Sequence, residues 1–302
     1  MKTLRFISLP DEAAPLNEYL EKSIYSKYLD KFREGEVRSM TAFKRLCEEY
    51  GAKFEIIGID EFLKTKEKTG KSLLLDGDIE SILYSEYWSP LLNVDGSSIS
   101  KMISDKYVIY KMVKSVKEVL QPKTVYIQNY SELAGALEQI RTGTVVLKPR
   151  RDSFSSHNVL IIKRDRIEKI SEGERLNFVD YLVQEYLEET LWPPQEWRFH
   201  FVGRELCRCM KIQDKNNWEK SLMITDLKVH DIPKELLDQA IAISRLLVNP
   251  KNSDNFTLDF LETKNGFIFL EANCGALGSF YISKESDFEL LRPIVKRILG
   301  IN

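Results

Sequence analysis

The sequence predicts a protein of mixed α/β and α+β class: a small α/β domain at 1–100, then two α+β units at 101–187 and 188–302. Three observations predict it. A strand–helix–strand rhythm opens the chain. An amphipathic helix follows a cluster of Asn, Asp, Gly and Ser and leads into a run of short strands. The last third reads hairpin, helix, hairpin. At 302 residues the chain is too long for one small core and fits two or three packed units.

Composition narrows the function classes. Hydrophobic residues make up 43% and charged residues 30%, as in ordinary globular proteins. A formal net charge of −2 brings no basic excess, so nucleic-acid binding is not favoured. The N-terminus, "MKTLRFISLPDEAAP", turns acidic after a short apolar run and lacks the parts of a secretion signal. No stretch reaches the roughly 18 apolar residues of a membrane helix, so no membrane partner and a cytoplasmic location are expected. Four cysteines occur, Cys47, Cys207, Cys209 and Cys274. The Cys207-x-Cys209 spacing matches no common zinc pattern, so buried reduced thiols are expected.

The elements follow in order. "TLRFISL" reads as a strand, and "SMTAFKRLCEEY" as a helix with Phe43, Leu46 and Cys47 on one face. Gly51 ends that helix, "KFEIIGI" is a second strand and "KSLLLDG" a third. "NVDGSSIS" marks the boundary to the next unit. "SDKYVIYKMVKSVKEVL" is then a helix capped by Ser104, with Val108, Met112, Val116 and Val119 on one face. Pro122 stops it. A strand "TVYI", a helix "SELAGALEQIR" and the strands "TVVLKP", "NVLIIK" and "YLVQEYL" complete the second unit. In the third, "EWRFHFVG-RELCRCMKI" turns at Gly203-Arg204, "PKELLDQAIAISRLLV" is a helix, and "NFTLDFLE-TKNG-FIFLEAN" is the second hairpin.

The second hairpin is apolar and aromatic, yet it holds Asp259, Glu271 and Asn273. A three-residue loop, Lys264-Asn265-Gly266, pairs Thr263 with Phe267 and sets Asp259 opposite Glu271, with Asn273 two residues on along the same face. A two-residue Asn-Gly turn would shift the register by one and separate the two acids across the sheet. Two carboxylates in apolar surroundings repel, and one protonates unless a cation neutralises them. Hard oxygen ligands of this kind suit Mg²⁺. The plain alternative is a solvated face, or pairing with Lys or Arg.

Three weaker patterns accompany it. Lys148 ends the apolar strand "TVVLKP" and needs either an anionic partner, such as a nucleotide phosphate, or a path to solvent. Lys106 stands in the first turn of its helix, where a surface lysine is the default reading. In the first hairpin, a Gly203-Arg204 turn pairs Val202 with Glu205, which sets Glu196 opposite Lys211 and Arg198 opposite Cys209. One face then carries Glu196, Arg198, His200 and Lys211, while Trp197, Phe199 and Phe201 point to the other. That polar face is either a cross-strand ion pair, Glu196 with Lys211, or a grip on a phosphoryl group or anionic substrate. Lastly, "YLVQEYLEE" is an apolar strand ending in polar residues at a joint between units, suited to read a purine ring with its backbone and ribose hydroxyls with its acids.

Lys106 on the entry helix, "VVLKP", "VQEYLEE", "EWRFHFVG", "MKI", "TLDFL" and "FLEAN", taken in order over about 101–302, resemble the ATP-grasp superfamily. The segment "QEYL … EWRFHFVG" is most similar to ligases that join amino acids to peptide or protein carboxylates. The resemblance implies an ATP-grasp fold behind a small N-terminal (pre-ATP-grasp) domain. It implies that Lys106 and Lys148 hold the ATP phosphates, that Gln184, Glu185, Tyr186 and Leu187 form the adenine-side hinge, and that Glu188 or Glu189 reaches the ribose. It implies that Arg198 touches substrate and phosphate, and that Lys211 stands where relatives commonly carry an arginine near the γ-phosphate. Asp259, Glu271 and Asn273 match the ligands of Mg²⁺, or of Mn²⁺ in its place.

The activity so implied is ATP-dependent joining of a small-molecule or peptide carboxylate to an amine through an acyl phosphate, with a homodimer as the common assembly of similar enzymes. A phosphotransferase, or a nucleotide-binding regulatory protein without turnover, would use the same nucleotide site. The chain departs from its relatives in three places. The loop "RRDSFSSHNV" lacks their glycines and offers Ser153, Ser155, Ser156 and His157 instead. "CGALGS" follows Asn273 without their proline. "WEKSLMITDLK" lacks the glycine-rich acceptor stretch.

Overall fold

The computed structural model describes residues 3–8, 41–58, 79–83, 103, 105–151, 159–169, 178–187, 195–214, 222–248, 255–274, 291–293, 295–296 and 299–301. Its strands form three sheets. In the first, β1 (Thr3–Ser8) lies between β2 (Lys53–Gly58) and β3 (Ile79–Leu83), parallel to both. Parallel neighbours require a crossover, and helix α1 (41–49) lies in the β1–β2 connection. α1 buries Phe43, Leu46 and Cys47, the face expected from their spacing, against Leu291, Val295 and Leu299. Gly51, at φ +64, takes the left-handed conformation that lets the Ala52 N–H return to the Cys47 carbonyl at 2.8 Å. The expected third strand "KSLLLDG" lies outside the described residues, and β3 is a later segment.

Helix α2 (Lys106–Val113) follows. Its N-cap is Asp105, whose Oδ1 accepts the Val108 N–H at 3.1 Å, so Asp105 takes the capping role expected of Ser104. The helix is also shorter than expected, and its buried face is Ile109 and Val113. The second sheet is antiparallel, in the order β4 (Thr124–Ile127), β7 (Tyr181–Glu185), β5 (Thr144–Pro149), β6 (Leu160–Lys163). Helix α3 (Leu133–Gln139) covers it through Leu133 and Ala136, against Val145, Leu147 and Val183.

The third sheet runs β10 (Leu222–Leu227), β9 (Glu205–Asp214), β8 (Gln195–Val202), β11 (Asn255–Thr263), β12 (Gly266–Cys274). Strand β10 falls in "WEKSLMITDLK", where no element is expected from the sequence. One face is apolar: Phe199 meets Phe260 at 5.6 Å and Phe201 stacks on Phe256 at 5.4 Å. Helix α4 (Lys234–Leu247) buries Leu236, Ala240, Ile243 and Leu247 in the same core, and α2 joins it with Ile109 and Val113. The Leu120 carbonyl accepts the Phe269 N–H at 2.9 Å, so the chain after α2 lies along the β12 edge. The opposite face of the sheet carries the polar side chains.

Both hairpins contain a bulge that the sequence does not announce. At the second hairpin the turn is two residues, Lys264-Asn265, with Thr263 opposite Gly266. Left alone, that register would pair Asp259 with Leu270. Leu270 is instead an extra residue between Phe269, opposite Phe260, and Glu271, opposite Asp259. The expected opposition of the acids is present, through an even turn plus a bulge rather than an odd loop. At the first hairpin Val202 pairs with Glu205 as expected, but Cys207 is the extra residue. Beyond it Arg198 faces Met210, Glu196 faces Ile212, and Lys211 faces Trp197. Among the described residues no helix is long and apolar enough to cross a membrane.

Phe256 is fully buried. Phe256→Ala should cost about 3–5 kcal/mol of unfolding free energy in urea denaturation, because the stacked site cannot collapse around the loss.

Candidate functional site

The polar face of the third sheet places three expected residues together. The Asn273 Nδ2 donates to Asp259 Oδ2 at 2.9 Å and to Glu271 Oε1 at 3.1 Å. Asp259 and Arg198 are cross-strand neighbours on β11 and β8, and the guanidinium grips the carboxylate with both prongs: Nε to Oδ1 at 2.7 Å and Nη2 to Oδ2 at 2.9 Å. Nη2 also donates to Glu196 Oε1 at 3.1 Å. Glu271 is met from α2, with the Lys106 ammonium 3.2 Å from Oε2. The two acids are therefore not the bare anionic pair that suggested an obligatory metal ion. Arg198 answers one and Lys106 the other, the pairing alternative that the sequence left open.

Lys148 lies at the end of β5, 8% exposed, and no described carboxylate forms an ion pair with it. Burial lowers its pKa to about 8; Glu271 raises it and Lys106 lowers it further. Burial pushes Glu271 up, but Lys106, Lys148 and the Asn273 amide outweigh it and bring the carboxyl down to about 2. Asp259 moves the other way: burial and Glu271 raise it against the opposing pull of Arg198. Glu196 is pushed up to about 7 by burial and by Asp259. One site thus holds a carboxylate whose ionisation its neighbours favour beside two whose ionisation burial opposes.

A shallow cleft opens between the second and third sheets. Lys106 and Tyr110 of α2, Thr124 of β4, Lys148 of β5, Gln184 of β7 and Glu271 of β12 line it. Gln184 is held by its Nε2, which donates to Thr124 Oγ1 at 2.8 Å. The Glu185 side chain is turned away to accept the Lys123 N–H at 2.7 Å, and its own N–H donates to the Lys123 carbonyl. Tyr186 and Leu187 follow, half-buried. Glu188, Glu189 and the loop residues Ser153, Ser155, Ser156 and His157 lie outside the described residues.

Lys211 requires a correction. The bulge at Cys207 reverses its side, so it stands with Trp197 on the apolar face, opposite Arg198. Its ammonium sits 4.7 Å above the Trp197 ring and 3.1 Å from Glu262. Trp197 Nε1 donates to the same Glu262 at 2.9 Å. Sequence reasoning also missed Tyr110 and Thr124, which carry no charge and no periodic signature. Asp105 was legible in principle, as an aspartate directly ahead of a helix. Among the described residues no three His, Cys, Asp or Glu side chains gather as a metal site; the convergent set is two carboxylates and an amide.

A family model described as a RimK-like ATP-grasp domain matches residues 103–298. No curated protein sequence matches the chain. Solved structures share the fold. D-alanine–D-alanine ligase from Bacillus anthracis complexed with ATP is 14% identical, over 99% of this chain and 98% of that one, with a TM-score of 0.61. The ATP-grasp ligase PsnB complexed with a phosphomimetic variant of its minimal precursor, Mg and ADP is 11% identical over 99% and 98%, with a TM-score of 0.58. The macrocyclase MdnC bound with precursor peptide MdnA, from Microcystis aeruginosa MRC, is 13% identical over 99% and 100%, with a TM-score of 0.58.

The raised Glu196 carboxyl yields a prediction. A folded-state pKa of about 7 against an ordinary 4.5 gives stability that is present below 4.5 and lost as pH rises through 7. Relative to Glu196→Gln, the unaltered protein should lose on the order of 1 kcal/mol between pH 5 and pH 8. Paired denaturation curves at the two pH values check it.

Proposed function

We propose, from the premise that the chain belongs to the RimK-like ATP-grasp family, that it is an ATP-dependent carboxylate–amine ligase working through an acyl phosphate. The observation that carries the reading is Lys148, a buried ammonium without a described carboxylate partner, facing the same cleft as Lys106 and Glu271. An unpaired buried cation costs several kcal/mol, and a triphosphate in the cleft would supply the missing anion.

In this reading Lys106 and Lys148 hold the phosphates of ATP. The purine lies along the end of β7, where Gln184, Glu185, Tyr186 and Leu187 present backbone groups, and Glu189 reaches the ribose. Two carboxylates and an amide oxygen suit a hard divalent ion, so Asp259, Glu271 and Asn273 fit Mg²⁺, with Mn²⁺ as a substitute. Bound there, such an ion supplies positive charge against the phosphate oxygens. Asn273 would turn its amide to present oxygen, and Lys106 would leave Glu271 for phosphate. Arg198, fixed by Asp259 and Glu196, meets the carboxylate substrate and the transferring phosphoryl group.

The chemistry asks little proton transfer of the protein in its first step. A carboxylate oxygen bonds to the γ-phosphorus and ADP departs. The amine nitrogen then bonds to the acyl carbon, phosphate departs, and the nitrogen loses a proton. The residues' task is to align the reactants and offset spreading negative charge. The domain partition at 1–100, 101–187 and 188–302 belongs to this proposal, with the carboxylate and amine recognised between the first and third parts. Small-molecule and peptide carboxylates both fit the chemistry.

Incubation with ATP, Mg²⁺ and pooled carboxylic acids should release ADP only when an amine pool is added, and Asp259→Asn should lower the rate at least about 100-fold with the fold retained. ADP release without amine would identify a phosphotransferase, and full activity of the variant would overturn the metal assignment.

Lys148 gives a second prediction. Its folded-state pKa, lowered to about 8, leaves it largely neutral at pH 9, and a bound polyphosphate raises it. Nucleotide binding at pH 9 should therefore take up a proton, seen by calorimetry in buffers of different ionisation enthalpy. Lys148→Met should abolish the uptake.

A further inference from the structure

The two lysines that face the cleft come from different parts of the chain, Lys106 from α2 and Lys148 from β5. Two ammonium groups repel, and Lys106 depresses the pKa of Lys148. Something must hold α2 against the end of β5. The residue preceding Lys106 is Asp105, and two residues beyond Lys148 is Arg150.

Asp105 is 2% exposed, and Arg150 grips it with two nitrogens: Nε lies 2.8 Å from Oδ1 and 2.9 Å from Oδ2, and Nη2 lies 2.6 Å from Oδ2. Arg151 Nη2 donates to the same Oδ2 at 2.9 Å. The backbone repeats the link, since the Lys106 N–H donates to the Arg150 carbonyl at 3.0 Å. An aromatic layer runs beside it. The Arg150 guanidinium lies 5.0 Å above the Tyr126 ring, and Tyr126 stacks on Tyr107 of α2 at 5.2 Å. Asp180 closes the circuit: its carbonyl accepts the Arg150 N–H at 2.8 Å and its carboxylate accepts the Tyr126 hydroxyl. Asp180 holds a φ of 56, in the left-handed region that Asp adopts more readily than most residues.

We infer that Asp105 and Arg150 form a positioning clamp that fixes the separation of Lys106 and Lys148, so that both ammonium groups meet one polyphosphate. Neither clamp residue lines the cleft. Both act through the lysines. A helix cap alone would need only one oxygen on the Val108 N–H, and any of Asp, Asn or Ser supplies that. The buried carboxylate with two arginines exceeds what a cap requires. A bidentate guanidinium–carboxylate pair is also the contact that best fixes orientation as well as distance. The inference rests on the proposed nucleotide site for what the lysines bind, but not for what holds them together.

The test separates capping from clamping. Asp105→Asn keeps the cap acceptor and gives up the charge. Arg150→Lys keeps the charge and gives up the fork. Each should leave the melting temperature within a few degrees and weaken ATP binding in the presence of Mg²⁺ about 10-fold by calorimetry. The double variant should bind no more weakly than the worse single one, because the two residues act as one unit. In the ligand-free protein, carrying lysine labelled with carbon-13 at Cε, the Lys148 titration midpoint should move up from about 8 in both single variants as Lys106 withdraws and water enters. An unmoved Lys148 midpoint overturns the clamp, as does unchanged ATP affinity, additive losses, or losses that only follow the melting temperature. An unaltered chain that binds no ATP sinks the nucleotide reading instead, while the Lys148 titration still decides the clamp.

Discussion

Asp259 and Glu271 stand opposite each other on adjacent strands, Asp259 buried and Glu271 at the cleft wall, and the rest of the site is arranged around their mutual repulsion. Two unit charges 4 Å apart cost about 4 kcal/mol at an effective dielectric near 20. Desolvation adds several more for each unpaired ion. Arg198 offsets one charge and Lys106 the other, and the Asn273 amide lies between them. Lys106 answers Glu271 only if α2 packs against β12, so the balance of charge also fixes where a helix from the middle of the chain must dock. The cluster is a set of contacts that can be exchanged. A bound anion competes for Lys106, and a bound cation competes for Glu271 and Asp259.

The two larger sheets divide the work. The second is covered by α3 on one side and offers Lys148 and the end of β7 to the cleft. The third is covered by α4 and α2 on its apolar face, which leaves its other face for Arg198, Asp259, Glu271 and Asn273. α2 belongs to the core of the third sheet but is bound to β5 of the second through Asp105 and Arg150. The cleft therefore lies along a seam that one short helix spans.

Much of this was legible in the sequence because periodicity reports on burial. The spacing of Phe43, Leu46 and Cys47 marked the buried face of α1, and the alternation in "EWRFHFV" separated Arg198 from Trp197 and Phe199. Register was legible only where nothing interrupted it. A bulge leaves no mark in composition, so the side of Lys211 was misread, while Asp259 and Glu271 were placed correctly through the wrong local geometry. The Asp105–Arg150 contact spans 45 positions and belongs to no repeat, so no window of sequence displays it. Strand β10 escaped because "LMITDL" is a short segment without strict apolar alternation, even though Asp214, Asn216 and Asn217, residues common in turns, stand ahead of it.

The extra residue at Leu270 has a consequence for how this hairpin can change over descent. Eleven residues, 260–270, separate the two acids, an odd number that an even turn can serve only with one residue left over. That surplus is slack. Loss of one position in the interval could be absorbed by straightening the chain at 270, and a gain at the tip by a looser loop, with the acids still face to face. The interval between them is then free to drift in length among descendants, and aligning such chains column by column would assign one of the two carboxylates to the wrong position.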